Sequence, residues 1–413
     1  MTHHLTFVSI PGHGHVNPTL PLVEELARRG NRVTYITGQD CAGKVERAGA
    51  EFVLMPGSPF GKPPTASDGP TGADSAANPG AITPEVVEQL QRRTLDMVEE
   101  GLPAVERQLD DDPPDLVCYD AMTPAGRMAA EKRGLPAVQL CPSFASNEEF
   151  SLMGEFFPDV DLDGPLFDEV RRKYREFSEK HGVSFELTGK DAAVRIEPLN
   201  LVFVPQEFQL AGETFDERFA FLGPSLGMRA RSDEWQPPEG SSPVVFVSLG
   251  TAPFNNRPDF FRSCAEAFAG SAWHVVMAIG DNVDRADLGE MPENFEVRQY
   301  FPQPEVLRRA DAFVSHAGMN STMEALYREV PLVTVPQMPE QEANSRRVRD
   351  LGLGREVDGS TVTAEQLRRA VDEVSADTGI RARLAEIGRT VREAGGAVLG
   401  ADALEKHLAD AGG

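Results

Sequence analysis

Two histidines separated by one glycine follow the first apolar run of the chain, in "IPGHGHVNPTLP" (10–21). An imidazole can take up and return a proton near neutral pH, so His13 and His15 are both candidates for a general base. Such a base is assisted by a carboxylate that fixes its tautomer and stabilises its protonated form. "PDLVCYDAMTPA" supplies one at Asp120, again at the end of an apolar run. The competing reading is structural: a satisfied loop histidine, and an aspartate capping a helix before Thr123-Pro124.

The second half of the chain repeats the arrangement with different chemistry. "VVFVSLGTAPF" ends an apolar run with Ser248, Gly250 and Thr251, and "AFVSHAGMNSTMEAL" ends another with His316, Gly318, Asn320 and Ser321. Small residues at such places let a backbone approach a ligand closely. A helix beginning near Asn320 would aim N–H groups and a positive dipole end at a phosphate. His316 could add a donor, a cationic one if protonated. Glu324 could accept ribose hydroxyls, although Ser321-x-x-Glu324 also spells a capping box.

These residues need elements that bring them together. Strand-length apolar runs near 5–10, 32–37, 52–55, 115–119, 137–141 and 200–204 alternate with helical patterns, and the design restarts near 244–248, 274–279, 295–298, 312–315 and 332–336. Alternation of this kind predicts parallel βαβ units, hence an α/β chain. In a doubly wound sheet of order 3-2-1-4-5-6, strands 1 and 4 are neighbours, and ligands bind at their carboxyl ends. That order would place the histidines beside Asp120 in the first half and Gly250 beside His316 in the second. A chain of 413 residues calls for two domains. We read residues 1–210 as the first, 211–242 as a linker, 243–395 as the second, and 396–413 as a final helix returning to the first. Residues 57–83 read as a long Gly/Pro-rich loop, and 143–157 as helix core or an apolar substrate wall containing Phe144, Met153, Phe156 and Phe157.

Composition removes several classes of function. The net charge is -25, with no basic cluster, so no nucleic-acid partner is expected. The four cysteines are widely spaced with no CxxC pair, and Cys118 and Cys141 lie in apolar runs as expected of buried thiols in a reducing compartment. "MTHH" leads directly into a strand-like segment, and no apolar stretch approaches the ~20 residues of a membrane span. A cytoplasmic protein without membrane insertion is expected. "GHGHVN" nearly matches a dinucleotide fingerprint, but Asn17 replaces the third glycine. His13-x-His15 lacks a third metal ligand. "DVDLDG" (159–164) reads as an acidic surface loop, since Val170 stands where a calcium loop needs glutamate. GxxxxGK[ST] and GxSxG are absent.

In order and together, "GHGHVNP", "SLGT", "PQ" (302–303), "HAGMNSTMEAL" and "PEQEANS" (339–345) resemble glycosyltransferase family 1, closest to bacterial macrolide and natural-product UDP-glycosyltransferases. The resemblance runs end to end. It implies the GT-B fold: two Rossmann-like doubly wound parallel-sheet domains facing across a cleft. It implies that His15 is the general base and Asp120 its orienting carboxylate, which leaves His13 as a loop or acceptor-side residue. For the donor it implies Thr251 and His316 at the diphosphate, Gly318, Asn320 and Ser321 beside it, and Gln303 and Glu324 at the ribose. Tyr300 and Phe301 stand where the family places its uracil-stacking tryptophan, and Glu340-Gln341 where it places a sugar-binding Asp-Gln pair. The implied activity is inverting transfer of a hexose, with glucose expected, from a UDP-sugar to a hydroxyl of a lipophilic molecule such as a macrolide, polyketide or polyphenol. No metal or other cofactor is implied, and the protein would be a monomer or homodimer. Two alternatives are an NAD-dependent oxidoreductase built on the near-fingerprint and a catalytically silent nucleotide-binding partner protein.

Overall fold

The computed structural model describes residues 2–56, 83–183, 196–227, 235–237, 242–250 and 257–411. The chain forms two compact units, 1–225 with 394–413, and 226–393.

Unit 1 is built on β1 (His4–Val8), every residue of which is buried. A strand with no exposed face must lie inside a sheet covered on both sides. It pairs in parallel with β2 (Arg32–Thr37) and β4 (Leu116–Asp120), with Leu5 opposite Leu116 and Val8 opposite Tyr119. With β3 (Glu51–Leu54), β5 (Ala137–Cys141), β6 (Asn200–Val202) and β7 (Phe219–Phe221), the order is β3-β2-β1-β4-β5-β6-β7. Alternation along the strands sends side chains to two cores. Leu5, Phe7, Leu116 and Cys118 pack under α1 (His13–Arg28) and α13 (Gly396–Ala411). Val8, Val117 and Tyr119 pack under α3 (Pro84–Asp111), α4 (Pro124–Glu131) and α6 (Asp168–His181). Helix α13 is bound to α1 by Leu404 in the shared core and by Arg29, whose Nη1 reaches Asp402 at 2.6 Å and Glu405 at 2.9 Å.

Unit 2 repeats the plan. β8 (Val244–Ser248) is fully buried and pairs with β9 (His274–Ala278) and β11 (Ala312–Ser315). β10 (Phe295–Arg298), β12 (Leu332–Thr334) and β13 (Gly354–Glu356) complete the order β10-β9-β8-β11-β12-β13. This is the 3-2-1-4-5-6 order expected for each half.

Four local readings are corrected. Asn17-Pro18 reads by residue type as a helix start, but helix α1 begins at His13, so both histidines lie in its first turn, and Pro18 and Pro21 sit inside the helix. Residues 219–221 are not linker: they form β7, paired with β6. Strand β13 went unread. Helix α9 (Met319–Tyr327) starts with Gly318 as its N-cap, so Ser321 is not a cap and no capping box forms with Glu324. In the 159–164 loop, Asp159, Asp161 and Asp163 are exposed while Val160 and Leu162 anchor the core. Among the described residues no group of His, Cys, Asp and Glu is arranged to hold a metal, and no helix is long and apolar enough to cross a membrane. The 57–83 loop, apart from Thr83, lies outside the described residues, as does Thr251.

Candidate functional site

In unit 1 the helix geometry separates the two histidines. Residues two apart on a helix point roughly 200° apart, so His13 and His15 cannot share a partner. His15 turns toward β4. Its Nδ1 lies 2.8 Å from Asp120 Oδ2, and the Asp120 carboxylate is buried while the imidazole side chain keeps 22% of its exposure. A carboxylate only accepts, so Nδ1 carries the hydrogen and Nε2 is the basic nitrogen. The other oxygen of Asp120 accepts from the Met122 N–H at 2.8 Å. Asp120 therefore orients the histidine and does not cap α4, whose N-cap is Thr123. The strand register makes the pair possible: Val8 opposes Tyr119, so the segments leaving β1 and β4 emerge side by side.

His13 turns the other way, toward α2 (Ala42–Arg47). Lys44 Nζ lies 3.2 Å from its Nδ1 and donates to Asn17 Oδ1 at 3.2 Å. An ammonium can only donate, so His13 Nδ1 is an acceptor and the ring hydrogen sits on Nε2. Lys44 was not singled out in the sequence, because it is remote from both histidines along the chain, and Asn17 was read as a helix start and not as a partner of the lysine. Met122, also unread, is 56% exposed directly beside the Asp120 carboxylate; an apolar residue just past a strand end was its only signal.

The aromatic segment after β5 divides. Phe144 is 2% exposed and stacks on Phe208 with centroids 5.8 Å apart, so it serves the core and not a substrate wall. Met153, Phe156 and Phe157, on and just after α5 (Leu152–Phe156), are only partly buried.

In unit 2 the register of β8 and β11 pairs Ser248 with Ser315, so Gly250 and His316 leave the sheet together. Space for the imidazole depends on two glycines. A Cβ on Gly250 would come within 2.7 Å of the ring, and one on Gly318 within 2.3 Å. Burial pushes the His316 pKa down to about 4, against the opposing pull of the Ser248 backbone. At neutral pH this ring is therefore an uncharged donor, not the cation that protonation would have supplied.

Asn320 and Ser321 stand in the first turn of α9, where N–H groups are not used by the helix's own ladder. Glu324 is 4% exposed, and its Oε2 accepts from Gln303 Nε2 at 2.8 Å, with Ser321 Oγ 3.2 Å from the same nitrogen. Gln303 opens α8 (Gln303–Leu307), so three expected donor residues meet across two helices. Tyr300 is 52% exposed and its hydroxyl donates to Asp281; burial of the phenol, with that carboxylate beside it, pushes its pKa up to about 12. Phe301 packs edge-on against Phe246 under the Arg298 guanidinium, which lies 4.8 Å from its centroid. Glu340 and Gln341 lie in the first turn of α10 (Pro339–Asp350), where Gln341 Oε1 accepts from the Gln337 N–H at 2.8 Å.

Known proteins share this design. The family model described as UDP-glucoronosyl and UDP-glucosyl transferase matches residues 228–387. The chain is 39% identical to the NDP-glycosyltransferase YjiC of Bacillus licheniformis, over 99% of this chain and 98% of that protein. It is 37% identical to the demethyllactenocin mycarosyltransferase of Streptomyces fradiae, over 99% of this chain and 87% of that one. The crystal structure of CalG4, the calicheamicin glycosyltransferase, superimposes with a TM-score of 0.84 at 38% identity, covering 99% of this chain and 98% of that one. These relatives favour neither the oxidoreductase reading nor the silent partner protein. With relatives this similar over nearly the whole of both chains, the protein belongs to the UDP-glucoronosyl and UDP-glucosyl transferase family and is a UDP-dependent glycosyltransferase of the GT-B fold.

Proposed function

We propose that the protein transfers a hexose, glucose in the first instance, from a UDP-sugar to a hydroxyl of a lipophilic natural product, with inversion at the anomeric carbon. The observation that carries this reading is the His15–Asp120 pair, a part-exposed imidazole whose tautomer is set by a buried carboxylate. His15 Nε2 takes the proton of the acceptor hydroxyl as the oxygen attacks the anomeric carbon. The bond to the diphosphate breaks on the opposite face, and its electron pair leaves with UDP. Asp120 stabilises the imidazolium that forms. The charge gathering on the diphosphate is met by the N-terminus of α9 and by the neutral N–H of His316, dipoles already in place before reaction. Gln303 and Glu324 hold the ribose, Tyr300 the base, and Glu340 with Gln341 the sugar. No metal is assigned a role, so activity should persist in EDTA.

The acceptor class is supported by relatives named for demethyllactenocin and calicheamicin, and by the partly exposed apolar side chains of Met122, Met153 and Phe156. The test is a donor screen with UDP-sugars and a phenolic acceptor, read by mass spectrometry for a hexose addition and by NMR for the anomeric configuration. His15→Ala should lower kcat by roughly 10²–10⁴-fold, the usual contribution of a general base. Full activity in that variant, or retention of configuration, would overturn the mechanism.

A further inference from the structure

Ala317 occupies the left-handed region with φ 61°. A residue with a side chain stands there only under constraint, because its Cβ crowds the neighbouring carbonyl. It is fully buried and lies between His316 and Gly318, so its conformation sets the direction of both. Each of its peptide groups is held. The Ala317 N–H donates to Ser315 Oγ at 3.2 Å, within the same segment. The Ala317 carbonyl accepts from Asn344 Nδ2 at 2.8 Å, from helix α10. The same nitrogen lies 3.4 Å from Oε1 of Glu340, one helical turn earlier. Asn344 is itself 0% exposed, and its Oδ1 has no partner among the described residues, so the donor end of the amide is the end in use. The carboxamide cannot be turned round, since only its NH₂ can face a carbonyl.

We propose that Asn344 is a positioning residue for donor binding. It pins Ala317 in the left-handed turn that aims His316 and the start of α9 at the diphosphate, and it fixes the Glu340 side chain relative to that turn. The proposal rests on the donor-site reading above. Glycine accepts φ 61° without a pin, so Ala317→Gly should make Asn344 largely dispensable for nucleotide binding.

The experiment measures UDP affinity by calorimetry, well below the melting transition, for the parent, Asn344→Ala, Asn344→Asp, and Asn344→Ala combined with Ala317→Gly. Asn344→Asp keeps the shape of the side chain but cannot donate, and it sets a carboxylate against Glu340. We expect Asn344→Ala to weaken UDP roughly tenfold, as for loss of one buried hydrogen bond, and Asn344→Asp to weaken it at least as much. Ala317→Gly should bring Asn344→Ala back to within about threefold of the parent, because glycine holds this turn without the pin. A merely structural asparagine would change melting temperature and affinity together, with no rescue. Parent-like affinity in both single variants, or rescue of melting without rescue of affinity, overturns the proposal. Failure of the parent to bind UDP overturns the donor-site reading and this inference with it.

Discussion

Replacing Gly318 by alanine is expected to weaken nucleotide binding without unfolding unit 2. Gly318 is the N-cap of α9 with φ -60° and ψ 142°, a conformation alanine adopts freely. The obstacle is space. The added methyl would sit 2.3 Å from His316 Nε2, 3.0 Å from Cε1 and 3.2 Å from Cδ2. Ordinary carbon contacts lie at about 3.5–4.0 Å, so the ring edge has to give way by roughly 1 Å. Gly250 closes on the same edge, its own absent Cβ falling 2.7 Å from Cε1 and Nε2. The ring then has to rotate, and an off-rotamer imidazole costs about 0.5–1.5 kcal/mol. Loss of flexibility in the unfolded chain returns about 0.4–1 kcal/mol, so the net change in stability should stay within about 1 kcal/mol.

Binding should change more. On the proposed reading His316 donates to the diphosphate; a hydrogen bond to a charged group contributes about 1.5–3 kcal/mol, and a shift of this size removes it. UDP affinity by calorimetry, and KM for the donor, should therefore worsen roughly 10- to 150-fold. The control is the same substitution in a His316→Ala background. With the ring gone the methyl has nothing to strike, and Gly318→Ala should add no further loss, a strongly non-additive cycle. If Gly318→Ala binds UDP within twofold of the parent, or costs as much without the ring as with it, the steric argument and the placing of His316 at the diphosphate are both wrong.

Other perturbations test other parts of the site. Asp120→Asn should lower kcat by roughly 10²–10⁴-fold while leaving KM for the donor near its parent value, because a neutral amide cannot stabilise the imidazolium of His15; equal loss in both constants would point to collapse of the unit instead. Tyr300→Trp should tighten UDP about two- to tenfold by enlarging the stacking face, and unchanged affinity in Tyr300→Ala would remove Tyr300 from the base site. The folded pKa of His316, about 4, lies below its ordinary value of 6.5, so the unfolded chain takes the proton first. Its contribution to stability is complete above pH 6.5 and is lost as pH falls through about 4; at pH 5 the loss should reach about 2 kcal/mol. Denaturant titrations at pH 7 and 5 should show that loss in the parent and a smaller one in His316→Asn, the remainder reflecting His274 and His181, which burial also shifts downward.

The legible parts of the protein were those set by local pattern. Fully buried central strands such as "VVFVS" declare themselves as apolar runs, and the α/β alternation then implies the sheet order that brings His15 to Asp120 and Gly250 to His316. The parts that were missed depend on partners distant in sequence. β7 and β13 are three residues each, and pairing with a neighbour, not periodicity, makes them strands. Asn17-Pro18 looks like a helix start because asparagine caps and proline favours the first turn, yet α1 begins a turn earlier, where His15 can reach Asp120. Ser321-x-x-Glu324 looks like a cap, but the helix has already begun at Met319 and the glutamate is taken by Gln303. Phe144 was read as a possible substrate wall because nothing nearby in sequence announces Phe208 as its partner.

The ionisation of His316 changes what kind of site unit 2 offers. Motif reading permits a cation at the diphosphate; enclosure by Gly250, Gly318 and the sheet end removes it. No residue assigned to the donor is a lysine or arginine, and the chain as a whole carries a net charge of -25. On the proposed reading a dianionic donor is therefore held by oriented dipoles: the α9 terminus, the amides of Asn320 and Gln303, and one neutral imidazole. Dipoles act only at the right distance and angle, whereas a point charge tolerates misplacement. A site of this kind gains its selectivity for the transition state from geometry. On that reading a left-handed alanine, two glycines without room for a methyl and a buried asparagine set the geometry on which those dipoles depend.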